Sequence, residues 1–498
     1  MKIIKQGVEI VLLHSILAIV YSTPFSGQKS VREKGFAMAR YDKDLRIFKY
    51  ICNFYFCGII FFMIDYELAL YIMTSIFWSV IIVMIGLSWF YVAGLFLSMK
   101  RIKKAPHSDT YTKFAVLVPA RNESEVIKNI MRALTAQTYP KEYFDVWFIV
   151  EKDDDPTIKF AGEFGFKHFV RDEMTEQRRT KGFALQECIR HFKAEGLVYD
   201  AYMIFDADNV MDRDYIEKMN DLRQTGVEVG VGYRNFTNIN TNWLTSGSAI
   251  LFTYMNSFTS KNRTLLFKKA LIAGTGYYVN ADIIEEAGGW IFTGMTEDTE
   301  FTTYCEYHNI NMCYYPLINF YDEQSPSFKT NHNQHVRWIW GFMINRKRFI
   351  KGGKMHNATS KAVNRAAIFE YRVGIVPFAV ACVVDILLLI GAVILYVFSL
   401  RQDPSVSTAF LINIITFAAF LYFVFALAAV ATIAHNFNKL RLKWWMIILT
   451  VLTYPFYFLD LLIAFLHGLF VPRVRKTWTP IKHTGKIKDK RAKSVSKK

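Results

Sequence analysis

Four stretches of the 498-residue chain are nearly charge-free and long enough to cross a hydrocarbon core: Leu68 to Met99, Val373 to Leu400, Ala409 to Ala434 and Trp444 to Val471. Ile47 to Ile64 is a weaker spanning stretch, with Asp65 and Glu67 as an outer turn before Leu68. From Arg101 to about Lys361 the pattern changes to short apolar runs between helix-spaced apolar positions, which predicts a largely parallel, covered sheet. Phe114 to Val118, Val146 to Val150, Ala201 to Phe205 and Val227 to Val231 are its predicted strands. Ile127, Ile130, Met131 and Leu134 make one helix face; Lys181 and Gly182 open a second helix through Ala184, Leu185 and Ile189. After Asn333, Val336, Trp340 and Met343 share a face opposite basic residues, which suits a helix in the membrane interface.

The resulting organisation is an N-terminal segment of open status (1–46), one or two spans (47–100), a globular domain (101–332), interfacial helices (333–366), a membrane region (367–471) and a basic tail (472–498). Met1 to Tyr21 resembles a signal peptide or short anchor, and Met38 is an alternative start. Three full C-terminal crossings would carry the basic tail outside, against the charge rule. Trp444 to Val471, interrupted by Pro455 and Asp460, is therefore the expected re-entrant or kinked element.

The formal charge of +17 raises nucleic acid as a partner, but the distribution excludes it. Basic residues gather beside the apolar runs, at Arg101, Lys103 and Lys104, at Lys439, Arg441 and Lys443, and from Arg473 onward, with no aromatic-interleaved platform. That is the positive-inside pattern, with attraction to anionic membrane lipid, and it puts the globular domain in the cytoplasm of a multi-pass cell-membrane protein. Six cysteines without paired or histidine-flanked spacing argue against a disulfide framework or a zinc site.

Acidic clusters follow two predicted strands, at the edge where open α/β sheets bind ligands. Asp206 and Asp208 could hold Mg²⁺ or Mn²⁺ together with phosphates, although solvated loops carry such pairs as well. Glu151 to Asp155, closed by Pro156, could bond a base or ribose or be an ordinary acidic turn. Thr296 to Glu300 reads as a capped helix start or as the site of a general base, Asp298. Gln334, Arg337 and Trp338 share a helix face, where Arg337 could bind a diphosphate and Trp338 stack on a sugar, or where both could simply anchor an interface. Lys181 could sit near phosphate or in solvent.

Taken in order, the acidic turn, the Lys181 helix, Asp206-Ala207-Asp208, Gly274-Thr275-Gly276-Tyr277, Thr296-Glu297-Asp298 and Gln334-His335-Val336-Arg337-Trp338 resemble the processive membrane glycosyltransferases of family 2, such as cellulose, chitin and hyaluronan synthases. The resemblance implies an α/β GT-A domain, a Rossmann-like mixed sheet inserted between N- and C-terminal transmembrane helices. It implies transfer from a UDP-sugar, UDP-glucose or UDP-N-acetylglucosamine, to a growing β-linked polysaccharide with inversion. Asp298 would be the base, with Asp153, Asp154, Glu123, Lys181, Asp206 and Arg337 on the donor. Gln334, Trp338 and Glu297 would meet a carbohydrate or lipid acceptor, and Asp208 with Asp206 would hold Mg²⁺ or Mn²⁺. Arg121, Asn122 and Glu123 match the segment lining a uridine pocket. The usual Asp-Asp-Gly-Ser turn is replaced by Glu151 to Pro156, and the gating loop of cellulose synthases has no counterpart beyond Trp338. A non-processive transferase making a glycolipid, and a transporter or scaffold that only binds a nucleotide-sugar, are the rival readings. Secretion partners stay unnamed.

Overall fold

Phe114–Pro119 (β1) is apolar on both faces because both are covered. In a strand alternate side chains point to opposite sides. Phe114, Val116 and Val118 enter a core shared with Ile127, Ile130, Met131 and Leu134 of the helix Ile127–Thr135. Ala115 and Leu117 enter a second core, shared with Leu185, Cys188 and Phe192 of the helix Lys181–Ala194 and with Phe301 and Tyr304 of the helix Glu297–Tyr307. The result is three layers, with one sheet between two sets of helices. The computed structural model describes residues 65–124, 126–172, 175, 178–351, 383–400 and 404–471. The expected N-terminal segment, the span Ile47 to Ile64 and the basic tail lie outside them.

Eight strands run in the order β3-β2-β1-β4-β7-β6-β8-β5. Phe144–Val150 (β2), Lys167–Val170 (β3) and Ala201–Ile204 (β4) join β1 in a parallel half. The other half is mixed and corrects the largely parallel expectation. Tyr277–Asn280 (β7) lies antiparallel between β4 and Val229–Phe236 (β6); Met312–Asp322 (β8) runs parallel to β6 and pairs antiparallel with Val210–Met211 (β5). At the β4–β7 seam, the Gly276 N–H donates to the Ile204 carbonyl at 2.9 Å, which brings the Gly274–Gly276 turn beside the carboxyl end of β4. Strand β6 continues five residues past its expected end because a register shift at Gly232/Tyr233 lets Tyr233 to Phe236 keep pairing with β8.

The chain divides into two compact units, Met1–Ile72 with Leu395–Thr408 and Met73–Ile394 with Ala409–Lys498. The sheet and the site described below lie in the second. Among the described residues, three helices are long and apolar enough to cross a membrane, within Tyr66–Ser98, Pro404–His435 and Trp444–Phe470, and Val383–Ser399 is a shorter apolar helix. Pro455 sits inside a continuous Trp444–Phe470 helix and does not end it. On the helix Phe328–Lys351, two residues of the face expected to meet lipid, Val336 and Trp340, are buried, whereas Met343 is exposed. Val336 and Trp340 pack on Ala464 and Phe465 of the last helix. Trp340 fills the notch left by Gly468, where an added Cβ would lie 1.8 Å from its indole nitrogen.

Gly182 allows the Lys181 helix to approach the backbone at Phe292, since a Cβ there would meet that carbonyl oxygen at 2.1 Å. Overpacking at such a contact costs about 1–3 kcal/mol. Gly182→Ala should therefore lower the thermal midpoint of the solubilised protein and displace Lys181; an unchanged midpoint would show that the contact relaxes freely.

Candidate active site

The carboxyl end of β4 delivers Asp206, Ala207, Asp208 and Asn209 in one turn. The Asp206 backbone N–H donates to Thr275 Oγ1 at 2.9 Å and to Asn209 Oδ1 at 3.3 Å, so the turn is tied to the neighbouring Gly274–Gly276 loop. Lys181 bridges the same two loops, donating to the Asp206 carboxylate and, at 2.6 Å, to the Gly274 carbonyl. Gly274 makes this possible with φ of +83°, a backbone region that disfavours side chains, and its α-carbon borders Asp298: a Cβ there would be 3.6 Å from Asp298 Oδ2. Burial alone would lower the Lys181 ammonium, but Asp206 and Glu297 more than offset it, so its pKa is raised and it stays charged.

Asp298 occupies the first turn of Glu297–Tyr307, where it accepts the Thr299 N–H at 2.8 Å. Thr296 stands at the N-cap without a side-chain capping hydrogen bond; it packs on Gly341 instead, where a Cβ would lie 2.5 Å from Thr296 Cγ2. That close approach presses the helix carrying Arg337 onto the turn carrying Asp298. Burial raises the Asp298 carboxyl, held back by the Thr299 N–H, Lys181 and Arg337. Glu297 is pushed up to about 8 by burial and then by Asp298. Burial lowers Arg337, while Glu297, Asp298 and Asp206 favour its charged form.

Opposite lies a second group of acids. Asp208 is raised well above the carboxylate range by burial and by Asp322 and Asp206, and Glu123 is pushed up to about 8 by burial, Asp206 and Glu323. Asp322, at the end of β8, accepts from Arg234 Nε at 2.8 Å and from Gln324 Nε2 at 2.6 Å. At the far end Glu151 pairs with Arg121 at 3.2 Å and lies 3.8 Å from Arg171, which Glu187 holds through two bonds of 2.9 and 3.1 Å.

A cavity of about 1410 Å³ joins these groups. Glu123, Lys181, Asp206, Asp208, Glu297, Asp298, Gln334, Arg337 and Trp338 all line it. Asp153 and Asp154 do not; they are exposed in the turn before the helix Pro156–Glu163, which Asp155 caps through the Thr157 N–H, and Glu151 is the acid of that cluster on the cavity wall. Arg234, Asp322 and Arg171 were not anticipated. The signal for Asp322 was an acidic pair closing an apolar strand, the same feature that marked Asp206, but Pro316 and Asn319 hide β8. The cavity also extends between apolar helices, onto Leu389, Leu421, Phe425, Leu459, Leu462 and Phe465.

Among the described residues no three histidine, cysteine or acidic side chains form a self-sufficient metal cage. The donor set is nonetheless the oxygen-only kind that Mg²⁺ or Mn²⁺ takes from one or two carboxylates plus substrate phosphates. Burial raises the Asp208 carboxyl first and the neighbouring Asp322 and Asp206 raise it further, so acids crowd this end of the cavity.

Residues 112–341, just under half of the chain, match the family model described as "Glycosyltransferase like family 2", and they carry the GT-A-like mixed sheet, flanked by apolar helices, that the resemblance implied. The chain is 26% identical over 263 residues to a probable glycosyltransferase of Bacillus subtilis, covering 48% of this chain and 60% of that one. It is 24% identical over 236 residues to a beta-monoglucosyldiacylglycerol synthase of Trichormus variabilis, covering 46% and 48%. It thus spans about half to three-fifths of these curated relatives. A mannosyltransferase from Pyrobaculum calidifontis, solved with GDP-Man and Mn²⁺, shares the fold with a TM-score of 0.51 at 15% identity, covering 81% of this chain and 99% of that one.

Glu123 and Glu297 generate a pH dependence with a definite sign. Each has a native pKa of about 8 against 4.5 for the free side chain, so between these values the folded state binds more protons than the unfolded one. Stability is then greatest at the acid end of the window and falls as pH rises through about 8. The midpoint of chelator-treated protein should drop from about pH 5 to about pH 8. Glu123→Gln combined with Glu297→Gln should flatten that drop; an identical slope in the double variant would sink the assignment.

Proposed function

We propose that this family 2 glycosyltransferase domain transfers a sugar, with inversion, from a UDP-sugar to the hydroxyl of a membrane lipid, on the cytoplasmic side of a multi-pass membrane protein. The observation that carries the reading is the continuity of one cavity from Lys181, Asp206 and Asp298 onto the apolar walls at Leu421, Phe425, Leu459 and Phe465. A glycan sliding through such a space would leave its hydroxyls unpaired, whereas acyl chains lose nothing there. The cluster Arg101 to Lys104, directly after the first apolar helix, supports the cytoplasmic placement.

In this reading Arg121, Glu151 and Arg171 flank the base of the donor, and Lys181 with Arg337 meets its diphosphate. Asp208, assisted by Asp206, would hold a divalent cation, which when bound neutralises charge on the departing diphosphate. Asp298 takes the proton of the acceptor hydroxyl as that oxygen bonds to the anomeric carbon. The bond from that carbon to the diphosphate oxygen breaks with its electron pair leaving on the nucleotide. Burial raises the pKa of Asp298, which makes it a stronger base than an ordinary aspartate, while the Thr299 N–H, Lys181 and Arg337 favour its charged form. Gln334 and Trp338 border the acceptor side, beside Glu297. UDP-glucose and UDP-N-acetylglucosamine are the donors to test first, and diacylglycerol the first acceptor, following the name of the Trichormus relative.

Purified protein supplied with Mn²⁺, a panel of UDP-sugars and GDP-mannose, and diacylglycerol vesicles should release nucleotide and give a labelled product that partitions into organic solvent. High-molecular-weight product on a gel would favour a processive polysaccharide synthase, and no nucleotide release with any donor would favour a transporter or scaffold. Asp298→Asn should lower kcat by about 10²- to 10⁴-fold, with UDP affinity changed less than about twofold. Normal turnover in that variant would remove Asp298 from the base role.

A further inference from the structure

Asp460 lies in the middle of an apolar helix, 3% exposed, yet both its carboxylate oxygens are used. His332 Nδ1 meets Oδ1 at 2.7 Å and His335 Nδ1 meets Oδ2 at 2.7 Å. The outer ring nitrogens are engaged as well: His332 Nε2 with His467 Nδ1 at 2.9 Å, and His335 Nε2 with the Tyr457 hydroxyl at 3.0 Å. An Nδ1–H on each histidine donates to one oxygen of the Asp460 carboxylate, and the Nε2 atoms are met by the His467 ring and the Tyr457 hydroxyl, so no ring nitrogen of the pair is left unbonded. A carboxylate within an apolar helix is costly unless it is bonded in this way.

The two histidines stand one turn apart on Phe328–Lys351 and bracket Gln334. On that helix His332, His335 and Val336 face Trp444–Phe470, whereas Gln334, Arg337 and Trp338 face the cavity. The rotation of the helix about its axis therefore decides whether Arg337 reaches the diphosphate end. Greasy contacts at Val336 and Trp340 tolerate small rotations; two bonds of fixed direction to one carboxylate do not. His335 also packs directly on the Trp338 ring, with centroids 5.5 Å apart.

We propose that Asp460 is a positioning residue for transfer, acting from the membrane helix through His332 and His335 to fix the rotation at which Arg337 and Trp338 meet the reacting groups. The inference rests on the glycosyltransferase reading of the site, and the test separates the two. Misplacing a reacting or charge-stabilising group by about 1 Å costs up to about 10²-fold. Asp460→Asn should reduce kcat by about 10- to 100-fold, with UDP affinity and donor KM within about twofold. If Asp460 acts through Arg337, the same change in an Arg337→Ala background should cost less than about threefold more. A merely structural role would lower the thermal midpoint while leaving kcat per folded molecule intact, and losses that multiply in the double variant would likewise overturn the proposal. Should Asp460→Asn fail to accumulate, His335→Gln enters the same cycle with the same expectations. Impaired Arg337→Ala beside a normally active Asp460→Asn overturns this inference alone; full activity in Arg337→Ala overturns the reading of the site as well.

Discussion

Gathering carboxylates in one cavity, where burial disfavours their charged forms, is the constraint on which the rest of this structure depends. The cavity wall carries nine acids and six cations; Arg121 and Arg171 stand by Glu151 at the far end, which leaves Lys181, Arg234 and Arg337 among Asp206, Asp208, Glu297, Asp298 and Asp322. Each cation is placed where it serves more than one acid: Lys181 touches Asp206 and favours ionised Glu297 and Asp298, and Arg234 grips Asp322 while favouring Asp206 and Asp208. What remains is a deficit of positive charge on the Asp208 side. Charges held in place before the reaction need no reorganisation during it, and a low-dielectric wall magnifies their effect. An arrangement that is costly in the empty protein is therefore complementary to a donor bound with a cation.

The same arrangement explains why the sheet is mixed. A purely parallel sheet would present one row of carboxyl ends. Running β7 antiparallel beside β4 lets the loop before β7 fold back over the Asp206 turn, so that Gly274 supplies the carbonyl for Lys181 and the neighbourhood of Asp298. β6 and β8, running parallel, then carry Arg234 and Asp322 to the same edge. The acidic groups belong to distant parts of the sequence, and the seam is what brings them together.

The parts legible in the sequence were those whose pattern is set by burial alone. Four strands and the apolar helices follow from runs that have nowhere else to go, and Asp206, Lys181, Asp298 and Arg337 were marked by ordered motifs. β7 is four residues long, and β8 contains Pro316 and Asn319 within a bulged pairing, so neither carries a readable period. Asp322 was hidden with β8, and Arg234 in the part of β6 that runs past its expected end. Asp153 and Asp154 looked equivalent to Glu151 because strand ends blur by a residue or two; only the fold shows that Glu151 faces inward while the other two stand exposed in the turn. Asp460 was visible as an interruption of an apolar run. Its meaning was not, because the histidines that satisfy it lie more than a hundred residues earlier.

The helix Phe328–Lys351 joins these observations. One side belongs to the charged cavity through Gln334, Arg337 and Trp338; the other is locked to a membrane helix through Asp460, Ala464 and Phe465. A soluble acceptor would need no such bond, since its hydroxyl could be delivered from any open side of the domain. On the proposed reading, an acceptor anchored in lipid would approach along one direction, at one depth, with its chains left among apolar side chains and its hydroxyl reaching the cavity by Trp338. The charged groups must then be registered against the membrane segment and not only against one another. Two directional hydrogen bonds from a single buried carboxylate to the helix that bears Arg337 supply that registration, which apolar packing alone would leave free to slip.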